Sequence, residues 1–181
     1  MGEREMKWGK GRPVVIVMGV SGCGKSFVGE KLAKALGADF LEGDSFHPLE
    51  NIALMSSGHP LDDAHRAGWL DAIGGKLAEI AGEGGSAVAA CSALKRIYRD
   101  RLRRHCPSVA FVHLAIDKET ARTRISGRKG HFMPASLVDS QFADLQPLEA
   151  DEAGITLDGT ADVSVLVPAA REFLGRDTGN G

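Results

Sequence analysis

Covalent staples are scarce in this chain. Its 181 residues include three cysteines, Cys23, Cys91 and Cys106, an odd number set far apart with no C-x-x-C spacing for zinc or redox work. They read as cytosolic thiols. Charge of one sign is scarce too: 22 Lys and Arg against 24 Asp and Glu leave a net charge of -2. That balance gives no electrostatic reason to expect nucleic acid or an anionic membrane as partner. No segment approaches the roughly 20 apolar residues that cross a bilayer. The N-terminal "MGEREMKWGKGRP" is charged and lacks the apolar stretch of a signal peptide, so a cytoplasmic protein is expected. There is no internal repeat, no low-complexity tract and no interdomain linker, since "GEGG" (82–85) and "CPS" (106–108) are too short to be one. Residues 1–12 and 175–181 are polar or Gly-rich with nothing to bury and are expected to be disordered, leaving 13–174 as one domain. The 43% hydrophobic and 25% charged content is that of an ordinary soluble globule.

What is present is an alternation of two periodicities. "VVIVM" (Val14–Met18) is a continuous β-branched run suited to a parallel strand covered on both faces. Val28, Leu32, Ala35 and Leu36 follow at helical spacing. Further short apolar runs, "DFLEGD", "SAVAACSA", "SVAFVHLAI" and "ADVSVLV", alternate with helical patterns over residues 66–80, 95–104 and 118–126. This β-α order predicts an α/β fold with a parallel sheet, helices on both faces and right-handed crossovers.

Between the first strand and first helix lies "GVSGCGKS" (19–26), which fits G-x-x-x-x-G-K-[ST] in the strand-to-helix context the motif requires. Gly19, Gly22 and Gly24 let the backbone turn its N–H groups around an anion, and the helix adds its positive end. Lys25 reaches the terminal phosphates, Ser26 offers a hydroxyl to magnesium, and Cys23 presents its backbone N–H, with an alkylatable thiol as the alternative. Nucleoside triphosphate binding follows. The loop alone leaves kinase, GTPase switch, motor and regulatory module open. No N-K-x-D occurs to read guanine, the D-x-x-G match at 71–74 falls inside a helical pattern, and no core strand ends in Asp-Glu. The compact size favours a phosphotransferase.

Downstream residues supply an acceptor side. Asp44, in "LEGDSFHP", falls at a strand's C-terminal edge, where ligands of open parallel sheets bind. It could accept a proton from an attacking hydroxyl or help hold magnesium through water. His47 stands three residues on, and Asp62 or Asp63 suits a helix N-cap ahead of Arg66, which could clamp a carboxylate. Ser92 and Lys95 leave the third strand at the same edge, with Arg99 one helical turn further. The loop "GRKGHFMP" (127–134), with Arg124, Arg128, Lys129 and His131, reads as a mobile lid over about 124–136, closing on the triphosphate.

At these residues the sequence resembles the gluconokinase family, small P-loop kinases related to shikimate kinase and the nucleoside monophosphate kinases. The resemblance runs from about Val14 to Val167 and rests on "GVSGCGKS", "GDSFHPLENIALMSSGHPLDD", Arg66 with Trp69 and Leu70, "CSALKRIYRD" and "RKGHFMPASLVDSQFADLQPLE". It implies a three-layer α/β/α fold of the nucleoside monophosphate kinase type, with a five-stranded parallel sheet and a mobile lid. It implies transfer of the γ-phosphate of ATP, with Mg2+, to D-gluconate, giving 6-phosphogluconate in a homodimeric enzyme. Carried onto this chain, ATP is held by Gly19, Ser21, Gly22, Cys23, Gly24, Lys25, Ser26 and Phe27, and by Arg124 and Arg128 of the lid. Lys25, Asp44 and Arg128 serve catalysis, Ser26 and Asp44 the magnesium, and Asp44, His47, Arg66, Lys95, Arg99 and His131 the acceptor. An anionic sugar acid needs such cationic partners, because an apolar pocket would not choose gluconate over glucose. The chain departs from the family's usual pattern at Leu54, where a Lys is common, and at Ala64, His65 and Gly68 around Arg66. A kinase for another small hydroxy acid and a non-catalytic nucleotide-binding regulator are the competing readings.

Overall fold

A β-branched run without charge cannot sit at a surface, and β1 (Val14–Met18) is buried along its whole length. In the computed structural model, which describes residues 12–127 and 135–177, β1 is the middle strand of a five-stranded sheet. All pairings are parallel, in the order β2 (Asp39–Glu42), β3 (Ala87–Ala90), β1, β4 (Ala110–Ala115), β5 (Gly154–Asp158).

Successive strand residues point to opposite faces, and β1 builds two cores in this way. Val15 and Val17 pack with Val28 and Leu32 of α1 (Lys25–Leu36), Ala121 of α5 (Lys118–Ser126), Val138 of α6 (Ala135–Asp144) and Leu166 of α7 (Val163–Asp177). Val14, Ile16 and Met18 pack with Trp69, Ile73 and Leu77 of α3 (Asp63–Gly82) and Tyr98 and Leu102 of α4 (Arg96–His105). Helices therefore cover both faces, the three-layer α/β/α arrangement expected. A short 3-10 turn (Gly43–Phe46) and α2 (Leu49–Ser56) carry the chain from β2 to α3.

Register levels the strand ends. Val17 pairs with Ala90, and Ala90 with Glu42, so β1, β3 and β2 finish side by side. The chain leaves all three at one edge: at Gly19, at Ser92 and at the turn containing Asp44. Gly19 N donates to Ser92 O at 3.2 Å, tying two of these exits together.

Two expectations are corrected. The run "ADVSVLV" (161–167) is not a strand: α7 begins within it at Val163. Val163, Leu166, Val167, Ala170 and Leu174 recur at three- and four-residue spacing against the core, and the Asp162 carboxylate opens the helix by accepting from Ser164 N at 2.9 Å. The fifth strand is "GITLD", whose Ile155 and Leu157 pack on the core at a period of two. The last helix also continues to Asp177, three residues past the boundary expected at 174. Residues 128–134 of the expected lid, including Arg128, Lys129 and His131, lie outside the described residues, as do 1–11 and 178–181. Among the described residues, no helix is long and apolar enough to cross a membrane.

Candidate functional site

The loop after β1 turns on glycines with positive φ, +146° at Gly19, +85° at Gly22 and +93° at Gly24. A Cβ at Gly19 would stand 2.7 Å from Cys23 Sγ and 2.9 Å from Leu114 O, so the loop is folded tightly onto the sheet's end. Gly24, in the left-handed conformation, opens α1 directly at Lys25. Lys25 Nζ donates to Val20 O at 3.2 Å, and Ser26 Oγ donates to Glu42 Oε2 at 2.6 Å. Cys23 is only 1% exposed and packs in the core beneath the loop, which removes the alkylatable-thiol alternative. Phe27, by contrast, is 58% exposed, with the Lys31 ammonium 5.7 Å from its ring centre.

Two side chains hold the loop from outside. Arg124, on α5, donates to Gly22 O and to Gly159 O, both at 3.1 Å, and so bridges the loop to the turn after β5. Gln141, on α6, clips Ser21 twice: its Oε1 accepts from Ser21 N at 2.6 Å and its Nε2 donates to Ser21 Oγ at 3.1 Å.

Opposite the loop, Asp44 is exposed in the 3-10 turn, and among the described residues no side chain hydrogen-bonds to its carboxylate. Two positions earlier, at the end of β2, Glu42 faces Ser26. A hydroxyl and a carboxylate side by side at the loop are hard oxygen donors in the small number magnesium takes from protein when phosphates supply the rest, so the residues present fit the ion.

Beside Asp44, His47 stacks on Trp69 with ring centres 4.1 Å apart and planes 13° from parallel. Trp69 Nε1 donates to Gly43 O at 2.7 Å, which pins the stack to the turn carrying Asp44. Arg66 Nη1 donates to Tyr98 Oη at 3.2 Å and lies 3.5 Å from Asp144 Oδ2. Lys95 Nζ donates to Asp63 Oδ1 at 3.0 Å and lies 4.0 Å from Asp144 Oδ1. Both cations stand over the Tyr98 ring, whose hydroxyl donates to Asp63 Oδ1 at 2.5 Å. Hydrogen bonds from Tyr98 and then Lys95 hold the Asp63 carboxyl below the usual carboxylate range, while burial first and the bond to Asp63 second push the Tyr98 hydroxyl up. The N-cap of α3 is Asp62, which accepts from His65 N at 2.7 Å, leaving Asp63 for this cluster.

The structure thus sets His47 against the turn of Asp44 and gathers Arg66 and Lys95 on Tyr98, Asp63 and Asp144, but does not bring Arg99 to either group. Arg99 is wholly buried and turned away: Nε and Nη2 donate to the Glu152 carboxylate at 2.7 and 3.0 Å. Its Nη1 donates to Ala93 O and Leu94 O at 3.0 and 3.1 Å, and Nη2 to Pro147 O at 3.3 Å. Arg99 therefore does not belong among the acceptor contacts. It braces the turn from which Lys95 emerges, where Ala93 holds a φ of +45°, the single positive φ of a non-glycine among the described residues.

Glu42, Gln141, Tyr98, Asp63 and Asp144 also belong to the site, although the sequence assigns none of them a role there. For Glu42 a signal existed, because it is an acid at the C-terminal edge of a strand, where ligands of open parallel sheets bind. Gln141 and Asp144 share a helix face at i and i+3, but nothing local shows that this face meets both the loop and the cationic pair.

A family model described as an AAA domain matches residues 14–148, from β1 through the segment after α6 and so across the loop and the whole cluster around Asp44. The gluconokinase of Gluconobacter oxydans (strain 621H) is 43% identical over 178 residues, covering 98% of this chain and all of that protein. The chain belongs to the gluconokinase family. Solved structures agree: a gluconokinase from Sinorhizobium meliloti 1021 superposes with a TM-score of 0.83 at 42% identity, covering 92% of this chain and 94% of that one. A sugar kinase from Janibacter sp. HTCC2649 superposes at 0.86 with 46% identity over 90% and 94%. Of the four departures from the family's usual pattern, Gly68 has open space around a would-be Cβ and Ala64 is exposed, so neither is demanded by packing.

Proposed function

We propose that this protein is a magnesium- and ATP-dependent gluconokinase that transfers the γ-phosphoryl group to the 6-hydroxyl of D-gluconate. The observation that carries the reading is the levelling of three strand ends. It sets the phosphate loop of β1 beside the Asp44 turn of β2 and the Lys95 turn of β3, on a chain that belongs to the family.

The roles follow from the chemistry of each group. The backbone N–H groups of residues 19–26 and Lys25 cradle the β- and γ-phosphates, with Ser26 and Glu42 placed for magnesium, whose bound charge neutralises the phosphate oxygens. Asp44 takes the proton of the attacking hydroxyl, a role allowed by its exposed carboxylate, to which no side chain hydrogen-bonds among the described residues. His47, Arg66 and Lys95 orient the acceptor. Asp63 and Asp144 leave Arg66 and Lys95 with nearly balanced charge, so this pocket reads a molecule that combines a carboxylate with hydroxyls rather than a bare anion. Arg124, fixed on α5 against the loop, and Arg128 of the expected lid complete the phosphate side, and His131 of that lid serves the acceptor. Catalysis then rests on positioning and electrostatics rather than covalent chemistry. A homodimer in the cytoplasm belongs to the same reading, supported by the family resemblance and by three unpaired, buried thiols.

Product identity tests it. Phosphorus NMR of the ester made from ATP and gluconate is expected to show a monoester coupled to the two protons of C6; an ester on a secondary hydroxyl would overturn the placement of Asp44.

A further inference from the structure

Asn51 is 0% exposed although it is polar and lies on α2, a helix otherwise half open to solvent. Its side-chain amide Nδ2 sits 2.9 Å from His65 O and 3.2 Å from His47 Nδ1, while its Oδ1 is buried without a partner. The orientation of the carboxamide is not free. A flipped amide would put oxygen against the His65 carbonyl oxygen at 2.9 Å, two acceptors in contact, so Nδ2 must face that carbonyl. Both of its protons are then assigned, one to His65 O and the other to His47 Nδ1. An N–H pointing at Nδ1 requires a lone pair there, which forces the ring's own proton onto Nε2.

Everything else around the ring fits this state. The Trp69 face covers one side of the ring. Burial disfavours the imidazolium most; Asp44, on the turn, favours it, and Arg66, on α3, opposes it. Asp44 and Arg66 are the charged groups facing His47 from the elements packed on it.

We propose that Asn51 is a positioning residue: its amide fixes His47 in the tautomer protonated on Nε2, so that the ring turns a hydrogen-bond donor to the acceptor. His47 then meets the acceptor as a neutral hydrogen-bond donor rather than as a third cation beside Arg66 and Lys95. The inference rests on the assignment of His47 to the acceptor pocket made above.

Nitrogen-proton correlation spectra of the imidazoles in the intact wild-type protein read the tautomer without any variant. The expected result is a bare Nδ1 and a protonated Nε2 at His47, retained below the pH at which an exposed histidine protonates. A proton on Nδ1 overturns the proposal. Asn51→Asp, which turns a carboxylate toward Nδ1, is expected to charge the ring. It should lower turnover at neutral pH by about tenfold or more and move the acid limb of the pH–rate profile to higher pH, with KM for ATP little changed. Adding His47→Gln in that background removes the titrating ring and should return the acid limb to its wild-type position, even with lower turnover. If Asn51→Asp protonates the ring and the acid limb stays put, the state of the His47 ring does not matter to turnover and the positioning role is wrong. If gluconate is not phosphorylated at all, the functional assignment fails, and the spectra still decide the state of His47.

Discussion

All the donors of the Arg99 guanidinium that hydrogen-bond do so inside the protein, on Glu152 and on the carbonyls of Ala93, Leu94 and Pro147. Removing one member of a fully buried ion pair strands the other, which costs about 3–5 kcal/mol. Arg99→Met is therefore expected to lower unfolding free energy by that order, measured by urea denaturation, and near-wild-type stability would refute the bracing role. At the reacting centre, Asp44→Asn is expected to cut kcat by about 10²–10⁴, the usual worth of a positioned base, with KM for ATP nearly unchanged; near-normal kcat would remove Asp44 from the mechanism. Sequence reading and structure part company at Arg99 for a definite reason. Lys95 and Arg99 are one turn apart and share a helix face, which made both candidates for the cleft. The acid that claims Arg99 lies 53 residues away, and no local pattern announces it. Lys25, Ser26 and Asp44 were legible because a fixed spacing and a strand end place them.

The elements behind the site were read from periodicity, and the failure at the fifth strand shows where that reading stops. "ADVSVLV" is β-branched in composition, yet its Val163, Leu166 and Val167 are spaced for a helix, and spacing won because Asp162 caps the turn. "GITLD" carries a weak strand signal because only two of its residues, Ile155 and Leu157, pack inward. Between β2 and α2 the turn carrying Asp44 depends on Gly43 in a way composition does not reveal. A Cβ there would lie 2.1 Å from Ala90 O, so the backbone of β3 blocks any side chain. Gly43→Ala is expected to destabilise the protein by about 1–3 kcal/mol and, by moving the Trp69 anchor at Gly43 O, to raise KM for the acceptor more than KM for ATP. Equal changes in both constants would mean that the turn does not position the acceptor pocket.

For the molecule as a whole, pairing of acids with arginines sets the response to pH. The Arg101 hydrogen bond holds the Asp71 carboxyl down to about 2, against burial. At Glu152 burial acts upward, but Arg99, the Glu149 N–H and Arg103 outweigh it and bring that carboxyl to about 2 as well. Both lie below their ordinary values of 3.8 and 4.5, so their contribution to stability is full above those values and fades as the pH falls toward 2. The midpoint of thermal unfolding is expected to hold above that window and to drop steeply within it; Arg99→Met/Glu152→Leu should flatten the drop. The central claim, that the phosphate held by residues 19–26 goes to gluconate, is tested most directly by coupled ADP release with magnesium and ATP across gluconate, shikimate, glucose and nucleoside monophosphates. Turnover with gluconate far above the other acceptors is the result predicted; turnover with another acceptor and none with gluconate would contradict it.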